Sequence, residues 1–242
     1  MTVTLKYIIY ELKKWIRDPM MIFMLAYPLI IASVVRFGIP VAEEQFLISV
    51  QPFNHVIAAV IMLLTSSISG AIIGFSILDD RDDKILYAID VSPVSFDMYM
   101  GFRFIMSFSL TYIGSIVALL ISGIGGIPLY ALLLVPMGIG LFSSVLAMFI
   151  NFFATNKVEG FAMMKAGAMI IVFPVASLFF TDFKEFFFGF EPNFWVVKAL
   201  SVAMLPTVDW NLGFWGYFPV GVIYALALNA VVYHIFKRRI II

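Results

Sequence analysis

The chain of 242 residues contains no cysteine. This absence excludes disulfide bonds, thiolate nucleophiles and cysteine-based metal sites, and it leaves the redox compartment open. The sequence also lacks a G-x-x-x-x-G-K-[ST] stretch, so it does not bind ATP through a P-loop. The formal net charge is zero and no basic stripe with interleaved aromatic residues is present, so we expect no nucleic-acid partner.

Charged residues are scarce, at 12% of the chain, whereas hydrophobic residues make up 63%. A soluble domain carries charge on about a quarter of its residues. Several continuous apolar runs reach the ~20 residues that a helix needs to cross a hydrocarbon core. A β-barrel would need alternating segments of about ten residues instead. The composition therefore predicts an all-α integral membrane protein.

The apolar runs predict six transmembrane helices in a single domain that covers residues 1–242. Their approximate bounds are 20–39, 56–78, 102–124, 129–153, 161–180 and 213–236. A further apolar segment, 193–206, is too short to span a membrane and carries Lys198 in its middle. We therefore expect short re-entrant helices in the region 181–212, between spans five and six.

The distribution of lysine and arginine predicts the orientation. With both termini in the cytoplasm, only Arg36, Lys184 and Lys198 fall toward the outside, and the other twelve basic residues lie inside or at the inner boundary. This excess agrees with the positive-inside rule. A seventh span would place the basic tail 237–239 outside, which the same rule disfavours.

The segment LKYIIYELKKWIRDP, residues 5–19, has the periodicity of an amphipathic helix. We expect it to lie in the membrane interface with its basic side chains toward anionic headgroups. Periodicity alone favours a membrane anchor over a lever that is coupled to cytoplasmic machinery. Asp18 and Pro19 then provide an N-cap and a first-turn residue for span one.

Six consecutive charged residues, 79–84, interrupt the apolar sequence between spans two and three. We expect the four acids among them to begin a short helix, because acidic groups stabilise the positive end of the helix dipole. Ile85, Leu86 and Ile89 would then form a small apolar face. Such a helix could dock onto another chain, but the charges taken alone favour a solvated loop.

Candidate catalytic residues do not form a plausible site. The two histidines, His55 and His234, are predicted at opposite faces of the membrane, so one chain cannot assemble a two-histidine metal site. Glu43 and Glu44 resemble the paired acids of membrane metalloproteases, but they lack such a histidine pair, and Ser69 lacks an opposing histidine. We therefore expect no enzyme activity in this chain.

Three segments, in this order, resemble the membrane-spanning (permease) subunit of type-2 ABC exporters, a family that exports drugs, peptides, lipids and polysaccharides. The first is ELKKWIRDPMMIFMLAYPLI at 11–30, a basic amphipathic helix followed by Arg-Asp-Pro and an apolar span with an early proline. The second is DDRDDKILYAIDVSPVSFDMYMGFR at 79–103, and the third is the apolar region 181–212. The second segment is rich in Asp, where family members commonly carry Glu and Gly.

The resemblance implies roles for two segments. In this family the loop between spans two and three holds a coupling helix, which sits in a groove of a separate P-loop ATPase, and a connecting helix lies beside it. Here the coupling helix would cover 79–92, with contacts from Asp79, Asp80, Arg81, Asp82, Asp83, Lys84, Ile85, Leu86 and Ile89. The connecting helix would cover 4–17, with Lys6, Lys13, Lys14, Trp15 and Arg17.

The resemblance also implies the partners. The chain itself would hold no cofactor, while ATP and Mg²⁺ would bind to the partner ATPase. A second permease copy or a homologue would complete the path in a homo- or heterodimer, within the lipid bilayer of the plasma (inner) membrane. The cargo would be an amphipathic or hydrophobic compound such as a drug, peptide or lipid. The alternative is a stand-alone membrane carrier, or an immunity or binding protein, that is not powered by ATP.

Overall fold

The computed structural model describes residues 3–85 and 95–240, and describes side chains at 9–85 and 95–238. All the regular structure in these residues is helical. Within them, six helical segments are long and apolar enough to cross a membrane. The predicted all-α membrane fold with six spans is therefore confirmed.

The helices follow one another along the chain with short connections. Two of them are 3₁₀ helices, Gln51–Phe53 and Phe183–Phe190. The α-helices are α1 (Val3–Arg17), α2 (Pro19–Phe46), α3 (Asn54–Asp82), α4 (Phe96–Ser122), α5 (Leu129–Phe153), α6 (Lys157–Met169), α7 (Val172–Ser177), α8 (Pro192–Met204) and α9 (Phe214–Ile240).

Side-chain caps define where several helices begin. Asp18 Oδ1 accepts hydrogen bonds from the backbone N–H groups of Met20, at 2.9 Å, and Met21, at 3.4 Å, with Pro19 in the first turn. The predicted N-cap of the first span is confirmed. Ser95 caps α4 in the same way, because its hydroxyl accepts from the N–H of Met98 at 3.2 Å.

The first span is longer than the predicted 20–39. Helix α2 has 28 residues, which is about 42 Å at 1.5 Å per residue, so it projects beyond a hydrocarbon core of about 30 Å. Near its far end, the Arg36 guanidinium lies against Gly123, the C-cap of α4, where a Cβ would overlap it. A cation at this place complements the negative end of the α4 dipole.

The fifth span, predicted at 161–180, is interrupted. Helices α6 and α7 together form one apolar segment, Lys157–Ser177, with a turn at Ile170 and Ile171. Pro174 accounts for this break, because proline has no N–H to donate to the carbonyl of Ile170 four residues earlier.

Helices α3 and α5 form the centre of the bundle. They bury 67% and 61% of their most apolar stretch, whereas α2, the α6–α7 span and α9 bury 17% each. The two central helices approach closely at Gly70, where a Cβ would overlap the backbone carbonyl oxygen of Ser143. Small residues at such crossings let helix backbones pack in a membrane.

Helix α8 enters the bundle from one side and does not cross it. Its last residue, Met204, lines a cavity with His55 at the start of α3. Its first residue, Pro192, lines another cavity with Ser67 and Leu228, which lie within one residue of the midpoints of α3 and α9. The predicted re-entrant helix is therefore present. The side of the bundle at which α8 enters is called the α8 end. The opposite side, where α1 lies, is called the α1 end.

The close contact at Gly70 generates a prediction. Gly70→Ala should lower the thermal stability of the detergent-solubilised protein, because the added methyl group must displace the α5 backbone, at a cost of about 1–3 kcal/mol. Gly101→Ala, in α4, is the matched control, since a methyl group added there would meet no atom within 4 Å. Thermal melting followed by size-exclusion chromatography compares the two. Equal melting temperatures for both variants would contradict the packing described here.

Candidate functional site

Three helices meet at the α1 end through polar side chains that are four residues apart. This spacing places both members of each pair on one helix face. The pairs are Glu11 and Trp15 in α1, Ser76 and Asp80 in α3, and Tyr99 and Arg103 in α4. All six side chains are buried. We call this set the α1-end cluster.

Arg103 lies at the centre of the α1-end cluster and is fully buried. Its Nη1 and Nη2 donate to the two carboxylate oxygens of Glu11 at 2.8 and 3.0 Å, a bidentate pair. Nη2 also contacts the Asp80 carboxylate, and Nη1 donates to the Ser76 hydroxyl at 3.0 Å. The guanidinium thus joins α1 and α3 to α4.

Neutral donors complete the coordination of the two acids. Tyr99 donates its hydroxyl proton to Asp80 at 2.6 Å, and Ser76 donates to Glu11 at 3.1 Å. The Trp15 indole N–H points at the Ser76 oxygen from 3.5 Å. Buried charges are tolerated only when their hydrogen-bonding capacity is used in this way.

A second, half-buried shell extends the network to the fifth span. Lys14 pairs with Asp80 at 2.9 Å, and Lys157 of α6 pairs with Asp79 at 2.9 Å. Lys157 also reaches Asp18, at 3.1 Å, the residue that caps α2. The network therefore connects α1, α2, α3, α4 and α6 at one end of the bundle.

The charged residues 79–84 divide between two kinds of local structure: Asp79 and Asp80, expected at the start of a short helix, lie at the end of α3, whereas Asp83 and Lys84 form a turn before Ile85, which is again helical. Asp79 to Asp82 form the last turn of α3, because Asp79 and Asp80 pair with cations from neighbouring helices and keep this turn folded against the bundle. Arg81 donates to the carbonyls of Asn151 and Ala154, at 3.1 and 3.3 Å, at the end of α5.

The remaining predicted coupling residues differ from these in exposure. Asp82, Asp83 and Lys84 are exposed, and no ion pair joins them to the described part of the chain. Ile85 is half-buried, whereas Leu86 and Ile89 lie outside the described residues. The coupling role of 79–92 stays a prediction.

Helix α1 contacts the bundle through a third face, which lies between its apolar face and its basic face. Leu12 and Ile16 are 40% and 63% exposed, while Glu11 is 1% exposed. Of the predicted connecting-helix residues, Trp15 is buried and Lys14 half-buried, Lys13 and Arg17 are exposed, and the side chain of Lys6 lies outside those described. Glu11, Lys14 and Trp15 therefore face the bundle, while the apolar and basic faces of α1 stay exposed.

Sequence reasoning missed Glu11 altogether and treated Arg103 only as a boundary residue. The signal that could have found them is the recurrence of one pattern. Each of α1, α3 and α4 carries, near the same end of the bundle, a charged residue and, four positions away, a second residue whose side chain can form a hydrogen bond.

A cavity of about 490 Å³ lies beside the α1-end cluster. Its lining runs from Leu12 and Trp15 along α2, α3 and α4 to Val117. The lining is apolar apart from a few hydroxyl groups such as Thr65 and Ser69. This volume falls within the range of sites that hold drug-sized molecules.

At the α8 end, a buried ion pair holds the re-entrant segment. Lys198 of α8 and Glu185 of the 3₁₀ helix are both fully buried, and Nζ lies 2.6 Å from Oε2. Tyr217 of α9 donates to the same carboxylate, and Asn211 donates to it at 3.0 Å. The region 181–212 is thus not apolar throughout.

Six helices long and apolar enough to span a membrane place this chain among multi-pass membrane proteins. The family model for Rv2686c-like fluoroquinolones export permease proteins matches residues 11–233, so the chain belongs to that export permease family.

Two curated relatives come from strains of Mycobacterium tuberculosis. The fluoroquinolones export permease proteins MT2760, of strain CDC 1551 / Oshkosh, and Rv2686c, of strain ATCC 25618 / H37Rv, are each 29% identical to this chain over 231 residues. The matched region covers 92% of this chain and 89% of each relative. No solved structure matches the chain.

The burial of Arg103 generates a prediction about stability. Arg103→Gln should destabilise the protein by about 3–5 kcal/mol, because it leaves Glu11 and Asp80 buried without their central cation. Lys14→Gln should cost about 1 kcal/mol or less, since that ion pair is partly solvated. Thermal melting in detergent measures both. If the Lys14 variant lost as much stability as the Arg103 variant, Arg103 would not be central.

Proposed function

We propose that the chain is the permease subunit of an ABC exporter. It carries an amphipathic drug-like compound, of the kind for which its relatives are named, out across the plasma membrane. ATP hydrolysis with Mg²⁺ in a separate P-loop ATPase drives the movement. The α1 end, with both termini, faces the cytoplasm, where such an ATPase would dock.

The α1-end cluster is the observation that carries this proposal. It joins the amphipathic helix α1 to the same ends of α3 and α4, and Lys157 adds α6. The proposed coupling segment, 79–92, begins within the last turn of α3. A partner that displaced this segment would therefore move α1 and three spans together, because the charges that join them cannot separate cheaply in a low-dielectric environment.

The exposed residues at the end of α3 supply the docking surface. Asp79, Asp80 and Arg81 are engaged within the chain, whereas Asp82, Asp83 and Lys84 are solvent-exposed. This division leaves the second group for contacts with an ATPase. ATP closes the ATPase pair and favours one permease conformation through its differential affinity for the two states.

The 490 Å³ cavity supports an apolar or amphipathic substrate. It opens between α2, α3 and α4, and extends from the α1 end toward mid-membrane depth, so a compound dissolved in the inner leaflet could enter it. Its hydroxyl groups, including Ser69 and Ser109, offer a few hydrogen bonds for orientation. A second permease copy, or a homologue, would complete the translocation path.

A charge reversal tests the coupling. Asp82→Lys combined with Asp83→Lys should abolish ATPase co-purification and reduce ATP-dependent export at least about tenfold, because like charges across an interface disfavour docking. The tagged chain is purified from the cells that naturally produce it, and uptake of a fluorescent fluoroquinolone is followed in inverted membrane vesicles. Glu44→Lys with Asp209→Lys, two exposed acids at the α8 end, is the matched control.

Two outcomes would overturn the proposal. If the charge-reversed protein kept its ATPase and its export, the segment would not be a coupling element. If the purified wild-type chain moved the probe in liposomes that contain no ATPase and no ATP, the chain would be a stand-alone carrier.

A further inference from the structure

Four acidic side chains are buried in the described part of the chain, and three of them pair with a cation. Glu11 and Asp80 pair with Arg103, and Glu185 pairs with Lys198. Glu191 is 3% exposed, yet none of the basic side chains at 9–85 and 95–238 lies within 4.0 Å of its carboxylate. A buried carboxylate without a counter-ion is costly, so the group either takes up a proton or pairs with a cation that a ligand supplies.

Glu191 lines a cavity of about 190 Å³ near the middle of the bundle. Ser67 and Leu228, near the midpoints of α3 and α9, line the same cavity, and so does Ile170 at the break between α6 and α7. The cavity is separate from the 490 Å³ cavity, because the two are lined by different residues of α3. No part of the ATP-coupling proposal uses it.

The oxygen atoms of the polar side chains at this cavity have fewer hydrogen-bond donors than they can accept from. Glu191 is the N-cap of α8: its Oε2 accepts from the N–H of Phe194 at 2.9 Å, and its Oε1 accepts from Asn193 Nδ2 at 2.8 Å. Two carboxylate oxygens can accept about four hydrogen bonds, so part of this capacity is unused. The Asn193 Oδ1 atom is buried and has no hydrogen-bond partner in the described structure. Two adjacent acceptors thus face a cavity with no cation.

We propose that Glu191 and Asn193 bind the protonated aliphatic amine of an amphipathic export substrate. An ammonium group carries only donors and a positive charge, so it complements both unfilled acceptors. A 190 Å³ space holds the amine-bearing ring or alkyl group of a drug, while the apolar body remains among the surrounding helices. This assignment rests on the proposed export function and specifies the substrate class.

The location makes the charged contact selective. In a water-excluded, low-dielectric site, an ion pair between ammonium and carboxylate is stronger than in water. An otherwise similar compound without the amine makes no such contact. Glu191 therefore discriminates between cationic and non-cationic members of one substrate class.

Direct binding tests the inference without ATP. Glu191→Gln keeps the size of the side chain and an oxygen that can accept from Phe194, but removes the charge. With a quinolone that carries a basic piperazinyl amine, the variant should bind about tenfold more weakly or worse, as expected for loss of a charge-assisted hydrogen bond. With a quinolone that lacks a basic amine, affinity should change less than about twofold. Fluorescence titration of the detergent-purified full-length protein measures both affinities.

Glu44→Gln, at an exposed acid, is the matched control and should leave both affinities unchanged. Equal weakening for the two quinolones would show that Glu191 acts only as the cap of α8, and the inference would be wrong. Unchanged affinity for the amine-bearing quinolone, or no binding of it by the wild type, would also overturn it.

The two proposals can fail independently. If the wild type binds the amine-bearing quinolone through Glu191 but shows no ATP-driven export, the site stands and the exporter proposal fails. If ATP-driven export is present and binding does not depend on Glu191, only the amine site is wrong.

Discussion

The bidentate pairing of Arg103 with Glu11, and its second contact with Asp80, is the interaction on which the α1 end of the molecule depends. One guanidinium neutralises charge from two other helices, and Ser76 and Tyr99 bind to these same groups. Such a network contributes little net stability, because removing the charges from water offsets most of the attraction. Its consequence is geometric: α1 has one position relative to α3 and α4, since any other leaves a buried charge unpaired.

The buried acids in the described part of the bundle lie at three depths, and the three depths differ in how these acids are paired. At the α1 end, the acids pair with Arg103 and with partly solvated lysines. At the α8 end, Lys198 pairs with Glu185 and holds the re-entrant helix against α9. Between them, Glu191 has no cation in the described part of the chain, and it borders the break in the fifth span. The ion pairs at the α1 end and at the α8 end thus lie on either side of a middle region without ion pairs among the described residues. We place the binding of a cationic substrate and the movement of helices in this middle region.

Hydropathy was sufficient to predict the six spans and the re-entrant helix, because a bilayer requires apolar segments of fixed length. Hydropathy could not predict the break at Ile170, which follows from one missing donor at Pro174 within a continuously apolar run. The α1-end cluster was harder to predict than this break, since Glu11 looks like one more polar residue on an amphipathic helix. Its burial depends on Arg103, 92 residues away in the sequence. The charged residues 79–84 were identified as unusual, but their division into paired and exposed groups required the tertiary structure.

The central claim is that Arg103 and Glu11 act as a unit in transmitting ATP-driven movement to the spans. A double-mutant cycle of Glu11→Gln and Arg103→Gln tests it most directly, with ATP-driven export of a fluorescent fluoroquinolone, normalised to folded protein, as the measurement. We predict that each single variant loses most of the export, and that the double variant is no worse than either, with a coupling energy of at least about 1 kcal/mol. Losses that multiply independently, or export that is unchanged in the single variants, would contradict the account.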